Sequence, residues 1–178
     1  MQVCIKQPEQ SAHAFSTAEE LLHSATGGVA QVFRYWDRAR GARIMPSPSE
    51  IDFLELRPWL PGILMIEVVS DGTRRGGNSE LIYRVVGERT IRLEGYDPTG
   101  MTVASVAGGR SVAHVPANYI VVIDLRIPLY GWSEGEGPHG RRRGSGTLLL
   151  PLSTDGHEVD WVLAYVEDTA AFDWAWAR

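Results

Sequence analysis

Residues 146–168, GTLLLPLSTDGHEVDWVLAYVED, constrain the fold more than any other part of the chain. Two apolar runs flank residues 153–156, where an Asp-Gly pair favours a tight turn because glycine readily adopts a positive φ. After the turn, Leu163 and Tyr165 fall on one face of a strand and Ala164 falls on the other. Since both faces are apolar, the strand should be covered on both sides and lie in the middle of a sheet. The sequence therefore predicts a central β-hairpin.

Shorter signals predict the neighbours of this hairpin. The β-branched and apolar runs at 63–69 and 81–86 indicate two earlier strands, and residues 127–132 indicate a third that starts near Pro128. Apolar residues from Val29 onward recur at spacings of three and four, which predicts an amphipathic helix that ends before Gly41. Four further predictions are a short helix at 17–25, a short helix at 88–93, a loose arm at 1–15 and a mobile connection at 133–146.

The segment 111–127 carries conflicting signals. Residues 119–123 are largely β-branched and favour a strand on propensity. The apolar residues nevertheless recur with helical spacing, at Val112, Val115, Tyr119, Val122 and Ile123. We interpret the segment as a helix, with a strand as the alternative.

Charge and cysteine content narrow the classes of partner. The formal net charge is −5, whereas a nucleic-acid surface needs clustered Lys and Arg. The dense basic run at 141–143 is interpreted as a solvated loop edge. Cys4 is the single cysteine, which excludes an internal disulfide and a multi-cysteine zinc site. No apolar run approaches the ~20 residues of a membrane span, and the N-terminus lacks a signal-peptide core. We therefore expect a cytoplasmic protein that binds neither nucleic acid nor membrane.

Several short motifs occur together in one order along the chain. Tyr35-Trp36 is followed by Arg40-Gly41 and Met45-Pro46, and the hairpin string LLLPLSTDG with Val159-Asp160 closes the series. Between them lie Ile51-Asp52, Trp59-Leu60-Pro61, the string YRVVG at 83–87 and the string GYDPTG at 95–100. In this combination the chain resembles a bacterial PAS-like family over residues 29–167.

The resemblance implies a fold and a sensory role. The expected fold class is α+β, with a five-stranded antiparallel sheet, helices on one face and an N-terminal helical extension. The domain plan is an arm with a short helix at 1–26, a PAS-like domain at 27–168 and an aromatic tail at 169–178. Since 178 residues leave no room for a second large domain, any output should act on a separate signalling protein. A homodimer is also expected, formed through the outer sheet face, the 17–25 helix and the tail with Phe172, Trp174 and Trp176.

A PAS-like cleft between sheet and helices suggests a small-molecule ligand, and Tyr83, His114 and Tyr119 are the residues predicted to line it. Their aromatic or imidazole tips can orient a ligand inside an apolar lining. The sequence names no cofactor and predicts no metal site. His114 lies in the region from which some haem-binding PAS domains supply an axial ligand, but a solvent-facing histidine is the favoured interpretation.

Two alternatives to a ligand sensor stay open. One is a dimerisation or interaction domain whose cleft is filled by its own side chains. The other is a small cone-shaped isomerase or hydrolase with an acid–base set drawn from Asp97, Asp124, Asp160 and His157. We favour a non-enzyme, because those acids have turn and surface roles available to them.

Two weak cofactor signals are set aside. Residues 135–140 match GxGxxG, but the glycine-rich and basic residues after it cannot open the helix that a dinucleotide needs. A photoactive flavin requires a reactive cysteine in the core, and Cys4 lies outside the predicted domain.

Overall fold

The computed structural model describes residues 4–7, 10–14, 20–21, 23, 27–69, 79–107, 115–136 and 142–168. Its strands form one antiparallel, seven-stranded sheet with the order β1-β2-β5-β6-β7-β3-β4. The strands are β1 (Cys4–Gln7), β2 (Gln10–Ala14), β3 (Ile63–Val69), β4 (Glu80–Val86), β5 (Leu129–Glu136), β6 (Arg142–Leu152) and β7 (Trp161–Asp168).

In the described part of the chain, helices lie between β2 and β3 and between β4 and β5. They are α1 (Gly27–Arg40), α2 (Glu88–Glu94), α3 (Val103–Ala107) and α4 (Val115–Leu125), with 3₁₀ turns at Pro48–Glu50 and Arg57–Gly62. Helix α2 ends at Gly95, whose positive φ of 81° suits a glycine. The predicted helices at 29–40 and 88–93 are confirmed, and α4 settles the conflict within 111–127 in favour of a helix.

The hairpin of β6 and β7 lies in the middle of the sheet, as the sequence predicts. Strand β7 lies between β6 and β3, and Val162, Leu163 and Ala164 are each 0% exposed. Both of its faces are therefore covered, as the apolar alternation requires. The earliest strand of the five-stranded core, β3, lies directly beside β7, with β4 on its outer side. The α+β fold with a five-stranded antiparallel core sheet is thus confirmed. The expectation that the helices lie on one face is wrong, because both faces of the sheet are apolar and α1 covers one of them while α4 covers the other.

The two faces of the sheet are covered by different helices. Strand alternation places Tyr165 on one face and Ala164 on the other. A Cβ atom at Gly28, in the first turn of α1, would overlap the ring of Tyr165, so α1 covers the first of these faces, which we call the α1 face. A Cβ at Gly131 of β5 would lie 3.5 Å from Asn118 Nδ2 of α4, and Gly131 shares its face with Ala164. We call this second face the α4 face.

Helix α1 forms where the spacing predicted it. Its apolar stripe is buried and consists of Val29, Val32, Phe33 and Trp36. Arg38 and Arg40 lie in the last turn, where positive charge suits the negative end of the helix dipole. Gly41 follows with a φ of 57°, a conformation that stops the helix.

Three predictions about connections are wrong. The predicted loose arm contains the strands β1 and β2, which extend the sheet beyond β5. The predicted mobile connection at 133–146 is largely strand, because Glu136 of β5 still pairs with Arg142 of β6. The turn with Asp155-Gly156 is not a tight one, since pairing ends at Leu152 and Trp161 and residues 153–160 form a longer loop. The first two errors have a common reason, because β1 and β2 contain few large apolar residues and the paired ends of β5 and β6 are glycine-rich and charged, so neither shows apolar alternation in the sequence.

Other predictions are tested only in part. Residues 20, 21 and 23 are helical and Leu21 is buried, but the rest of the predicted 17–25 helix lies outside the described residues. The aromatic tail, 169–178, also lies outside them. The third strand of the core starts at Leu129, two residues later than expected. None of the helices in the described ranges is long and apolar enough to cross a bilayer.

Candidate functional site

Two tyrosines from different elements lie in the core on the α4 face. Tyr83 comes from β4 and is 6% exposed, and Tyr119 comes from α4 and is 2% exposed. Tyr83 pairs with Ile66, which lies opposite Val162, so alternation assigns Tyr83 to the α4 face. The buried side of α4 continues with Val122 and Ile123. Two of the three residues predicted to line a ligand site are thus on the same side of the sheet.

A local irregularity in β4 fixes the position of Tyr83. The register with β3 shifts between Met65 and Ile66, which leaves Arg84 as an extra residue in β4. Arg84 is exposed and pairs with Glu67 at 2.5 Å, as expected for a charged residue in mid-strand. The shift keeps Tyr83 facing inward while Arg84 faces solvent.

The outer edge of β4 is closed at Tyr83 by the following loop. The amide of Tyr83 donates to the Met101 carbonyl over 3.0 Å, and the Gly100 amide donates to the Tyr83 carbonyl over 2.7 Å. Gly100 has a φ of 84°, so a glycine suits the turn that makes this contact. The loop therefore protects both backbone groups of Tyr83 and joins α3 to β4.

Burial dominates the electrostatics of both tyrosines. It raises the pKa of Tyr83 to about 12, with smaller contributions from the charges of Glu94 and Tyr96. Burial also raises the pKa of Tyr119 well above its usual range, and Tyr83 adds to this. Both phenols are therefore neutral near pH 7, and each hydroxyl is able to donate and to accept a hydrogen bond.

Sequence reasoning missed the residues beside this pair. Glu94 and Tyr96 act on the pKa of Tyr83 from the end of α2 and the turn after it. Thr90 lies one helical turn before Glu94, and its Oγ1 is the one buried side-chain oxygen or nitrogen without a hydrogen-bond partner among the described residues. Gly95 signals in the sequence where α2 ends, but no short-range pattern shows that this end lies near Tyr83.

The other candidate residues lie apart from Tyr83 and Tyr119 or fall outside the residues that the structure describes. His114 lies outside the described residues. Asp97 is exposed and binds the amide and hydroxyl of Thr99, while Asp160 accepts from the Thr154 amide. Asp124 and His157 are exposed. Among the residues that the structure describes, no hydrogen bond or ion pair joins any two of these four acid–base candidates.

The cofactor signals have no matching geometry in the described chain. Gly135 and Glu136 belong to β5, so the GxGxxG string begins in a strand rather than before a helix. Within the described ranges, no group of three or more His, Cys, Asp or Glu side chains is placed to hold a metal ion.

The sequence profile described as "PAS domain" matches residues 24–166, and the protein belongs to this family. Its fold is that of a sensory or regulatory module. No curated protein matches the sequence significantly.

The chain is also similar to solved structures of two light-oxygen-voltage proteins. An RNA-binding light-oxygen-voltage receptor is similar with a TM-score of 0.48 and 13% identity, over 70% of this chain and 35% of the receptor. The chain thus spans about a third of that receptor's length. The light-oxygen-voltage protein of Rhodobacter sphaeroides is similar with a TM-score of 0.45 and 15% identity, over 68% of this chain and 70% of that one.

Proposed function

We propose that the protein is a non-enzymatic sensory module that binds a small ligand on the α4 face, against Tyr83 and Tyr119, and signals to a separate protein. The observation that carries this proposal is the burial of two neutral phenols from separate elements on one side of the sheet. Small-ligand sites combine an apolar lining with a few polar groups that orient the ligand.

The lining indicates the chemistry of the ligand. The two phenols belong to a buried core that is largely aliphatic and includes Leu81 and Leu129 on this face of the sheet and Val103 and Val122 of the helices α3 and α4. A matching ligand has an apolar body and one or two groups that hydrogen-bond to a neutral hydroxyl. His114 stays a predicted third residue of the site.

A thermal-shift screen of metabolites against the full chain tests the proposal. A ligand present at 100-fold its Kd should stabilise the protein by about 2.7 kcal/mol. Each of Tyr83→Phe and Tyr119→Phe should weaken the binding of such a ligand about tenfold, because one hydrogen bond is lost.

Tyr130→Phe is the matched control, since Tyr130 is 3% exposed but lies on the α1 face. It should leave the affinity unchanged. Equal effects of all three variants would contradict a site on the α4 face. Turnover of the ligand, abolished by changing Asp97, Asp124 or His157, would overturn the non-enzyme assignment in favour of the isomerase or hydrolase alternative.

A homodimer is proposed through the part of the α1 face that α1 leaves open. Val69 and Val85 lie there and are 39% and 42% exposed, while Met65 on the same face is buried. Among the strand residues whose burial the structure describes, the exposed valines of this face lie at the β3–β4 end. In sedimentation at micromolar concentration, Val85→Glu should produce a monomer. Ile120→Glu, at an equally exposed site on α4, should leave the dimer intact, and a wild-type monomer would overturn the proposal.

A further inference from the structure

Helix α4 is apolar on its outer side as well as on the side that faces the sheet. Tyr119, Val122 and Ile123 form the buried side. The outer side repeats at helical spacing and consists of Ala117, Ile120, Val121, Asp124 and Leu125. Ile120 and Leu125 are 39% and 45% exposed. Because a helix that is apolar all round is normally buried all round, we expect a further segment to cover this outer side.

The aromatic tail, residues 169–178, has side chains that suit this surface. Its sequence, TAAFDWAWAR, places Phe172, Trp174 and Trp176 at every second position. In an extended conformation these three rings would lie on one side of the tail, with neighbouring rings about 7 Å apart. Ile120 and Leu125 are separated by about 7.5 Å along the axis of α4. Two indoles of the tail therefore match the two exposed aliphatic residues of the helix.

The sheet places the start of the tail close to α4. Val166 of β7 lies in one row with Thr147 of β6 and Gly131 of β5, so two strand spacings, about 10 Å, separate it from Gly131. A Cβ at Gly131 would lie 3.5 Å from Asn118 Nδ2 of α4. The eight residues from 169 to 176 extend to about 26 Å. This exceeds the two strand spacings and the about 10 Å diameter of a helix together.

The other face of the sheet is already occupied where β7 ends. Gly28, in the first turn of α1, lies against the hydroxyl end of Tyr165. The Val29 amide donates a hydrogen bond to the carboxyl group of Glu167. Tyr165 and Glu167 both belong to the α1 face, so α1 covers this face at the last residues of β7. The α4 face is therefore the side on which the tail has room to pack.

We propose that the aromatic tail packs across the outer side of α4 in the same chain, with Trp174 and Trp176 against Ile120 and Leu125. This goes beyond the sensory role above and does not depend on any ligand. Since α4 carries Tyr119 on its inner side, the packed tail links the helix beside the proposed ligand site to the end of β7.

Fluorine NMR of the full chain, labelled with 5-fluorotryptophan, tests this packing. Replacing Trp174 or Trp176 by Phe assigns their signals. In the wild type, both signals should move little between H₂O and D₂O, because the indoles are shielded from solvent. In Ile120→Glu, both should show the full solvent shift of free 5-fluorotryptophan, because a carboxylate cannot be buried under an indole without cost. The other tryptophan signals should keep their positions, which shows that the domain is folded.

Val85→Glu is the matched control, because Val85 is 42% exposed but lies on the α1 face, and it should leave both signals unchanged. Leu125→Glu alters the same surface as Ile120→Glu and should have the same effect. Indoles that show the full solvent shift in the wild type, or signals that Ile120→Glu and Leu125→Glu leave unchanged, would overturn the proposal.

A spin label separates packing within one chain from packing on a second copy. Cys4 is the single cysteine, so Cys4→Ser combined with Arg178→Cys carries one label, on the tail. In the ¹⁵N-labelled variant, the label should broaden the amide signals at 117–125. When spin-labelled chains without ¹⁵N are mixed with ¹⁵N-labelled chains without the spin label, these signals should stay sharp. Broadening in the mixed sample would overturn the proposal in favour of a tail that packs on a second copy.

Discussion

The two faces of the sheet are both apolar, but they are closed by different means. On the α1 face one helix of 14 residues is fixed by a directional bond from Trp36 Nε1 to the Pro151 carbonyl. The segment that follows the helix is fixed by the bond from the Ser153 amide to the Pro46 carbonyl. On the α4 face the helices are shorter, with 11 residues in α4 and 5 in the neighbouring α3, and the two buried phenols lie on this side of the sheet. The α1 face therefore binds its helix firmly, whereas the α4 face contains polar hydroxyl groups within an apolar lining.

The motifs that carry the family resemblance divide in the same way. Tyr35, Trp36, Pro46 and the STDG string meet around α1, where the Asp52 amide donates to the Tyr35 hydroxyl. In this protein, these motif residues stabilise the packing around α1. The residues proposed to bind a ligand lie on the other face, where only Tyr83 belongs to a recognised string. The family match therefore indicates the fold, whereas the proposed ligand site depends on residues of the α4 face.

Removing the α1 anchor should have the largest effect. Trp36→Ala deletes a side chain that is 2% exposed and leaves the Pro151 carbonyl without its donor, so unfolding free energy should fall by about 3–5 kcal/mol. Urea denaturation measures this. Leu54→Ala is the control, since Leu54 is 82% exposed, and it should stay within about 0.5 kcal/mol. Similar losses in both variants would contradict an anchored α1.

Two strand glycines compare the packing of the faces directly. Gly146→Ala places a methyl group against the Tyr130 phenol on the α1 face and should cost about 1–3 kcal/mol. Gly131→Ala on the α4 face meets Asn118 Nδ2 at 3.5 Å and should be neutral or stabilise by up to about 1 kcal/mol, because alanine suits a strand better than glycine. Chemical denaturation distinguishes them, and equal costs would show that both faces are equally tight.

The loop at 153–160 should give a smaller, pH-dependent effect. Amides of Glu158 and His157 and the Ser153 hydroxyl bind Asp155 and lower its pKa to about 2. A lowered pKa means that the stabilisation is present above the ordinary aspartate value and is lost as the pH falls through about 2. Asp155→Ala should therefore be less stable than wild type at pH 6, with the difference vanishing in strong acid. Thermal unfolding at several pH values measures this, and a constant difference would contradict it.

The sequence allowed the central parts of the fold to be predicted. Apolar alternation on both sides of residues 161–166 placed β7 in mid-sheet, and helical spacing identified α1 and α4. The hairpin of β1 and β2 could not be predicted, because its strands, CIKQ and QSAHA, contain few large apolar residues and show no clear apolar alternation. The same holds for the glycine-rich ends of β5 and β6.

The candidate site was predicted only in part. Tyr83 and Tyr119 are predicted because their aromatic tips can orient a ligand inside an apolar lining, and in the structure both lie on the α4 face. Tyr96 was missed, because its influence on Tyr83 depends on how the turn after α2 folds back, and no short-range pattern encodes that. Whether His114 joins the site stays a prediction.

An NMR screen of the ¹⁵N-labelled full chain against a library of small aromatic and heteroaromatic fragments tests the central claim most directly. The account predicts that binding fragments shift amides in β4 and α4, at 81–86 and 117–123, and that Tyr83→Phe and Tyr119→Phe reduce these shifts while Tyr130→Phe does not. Shifts that cluster on α1 and the 153–160 loop, or a library without any binder, would contradict a ligand site on the α4 face.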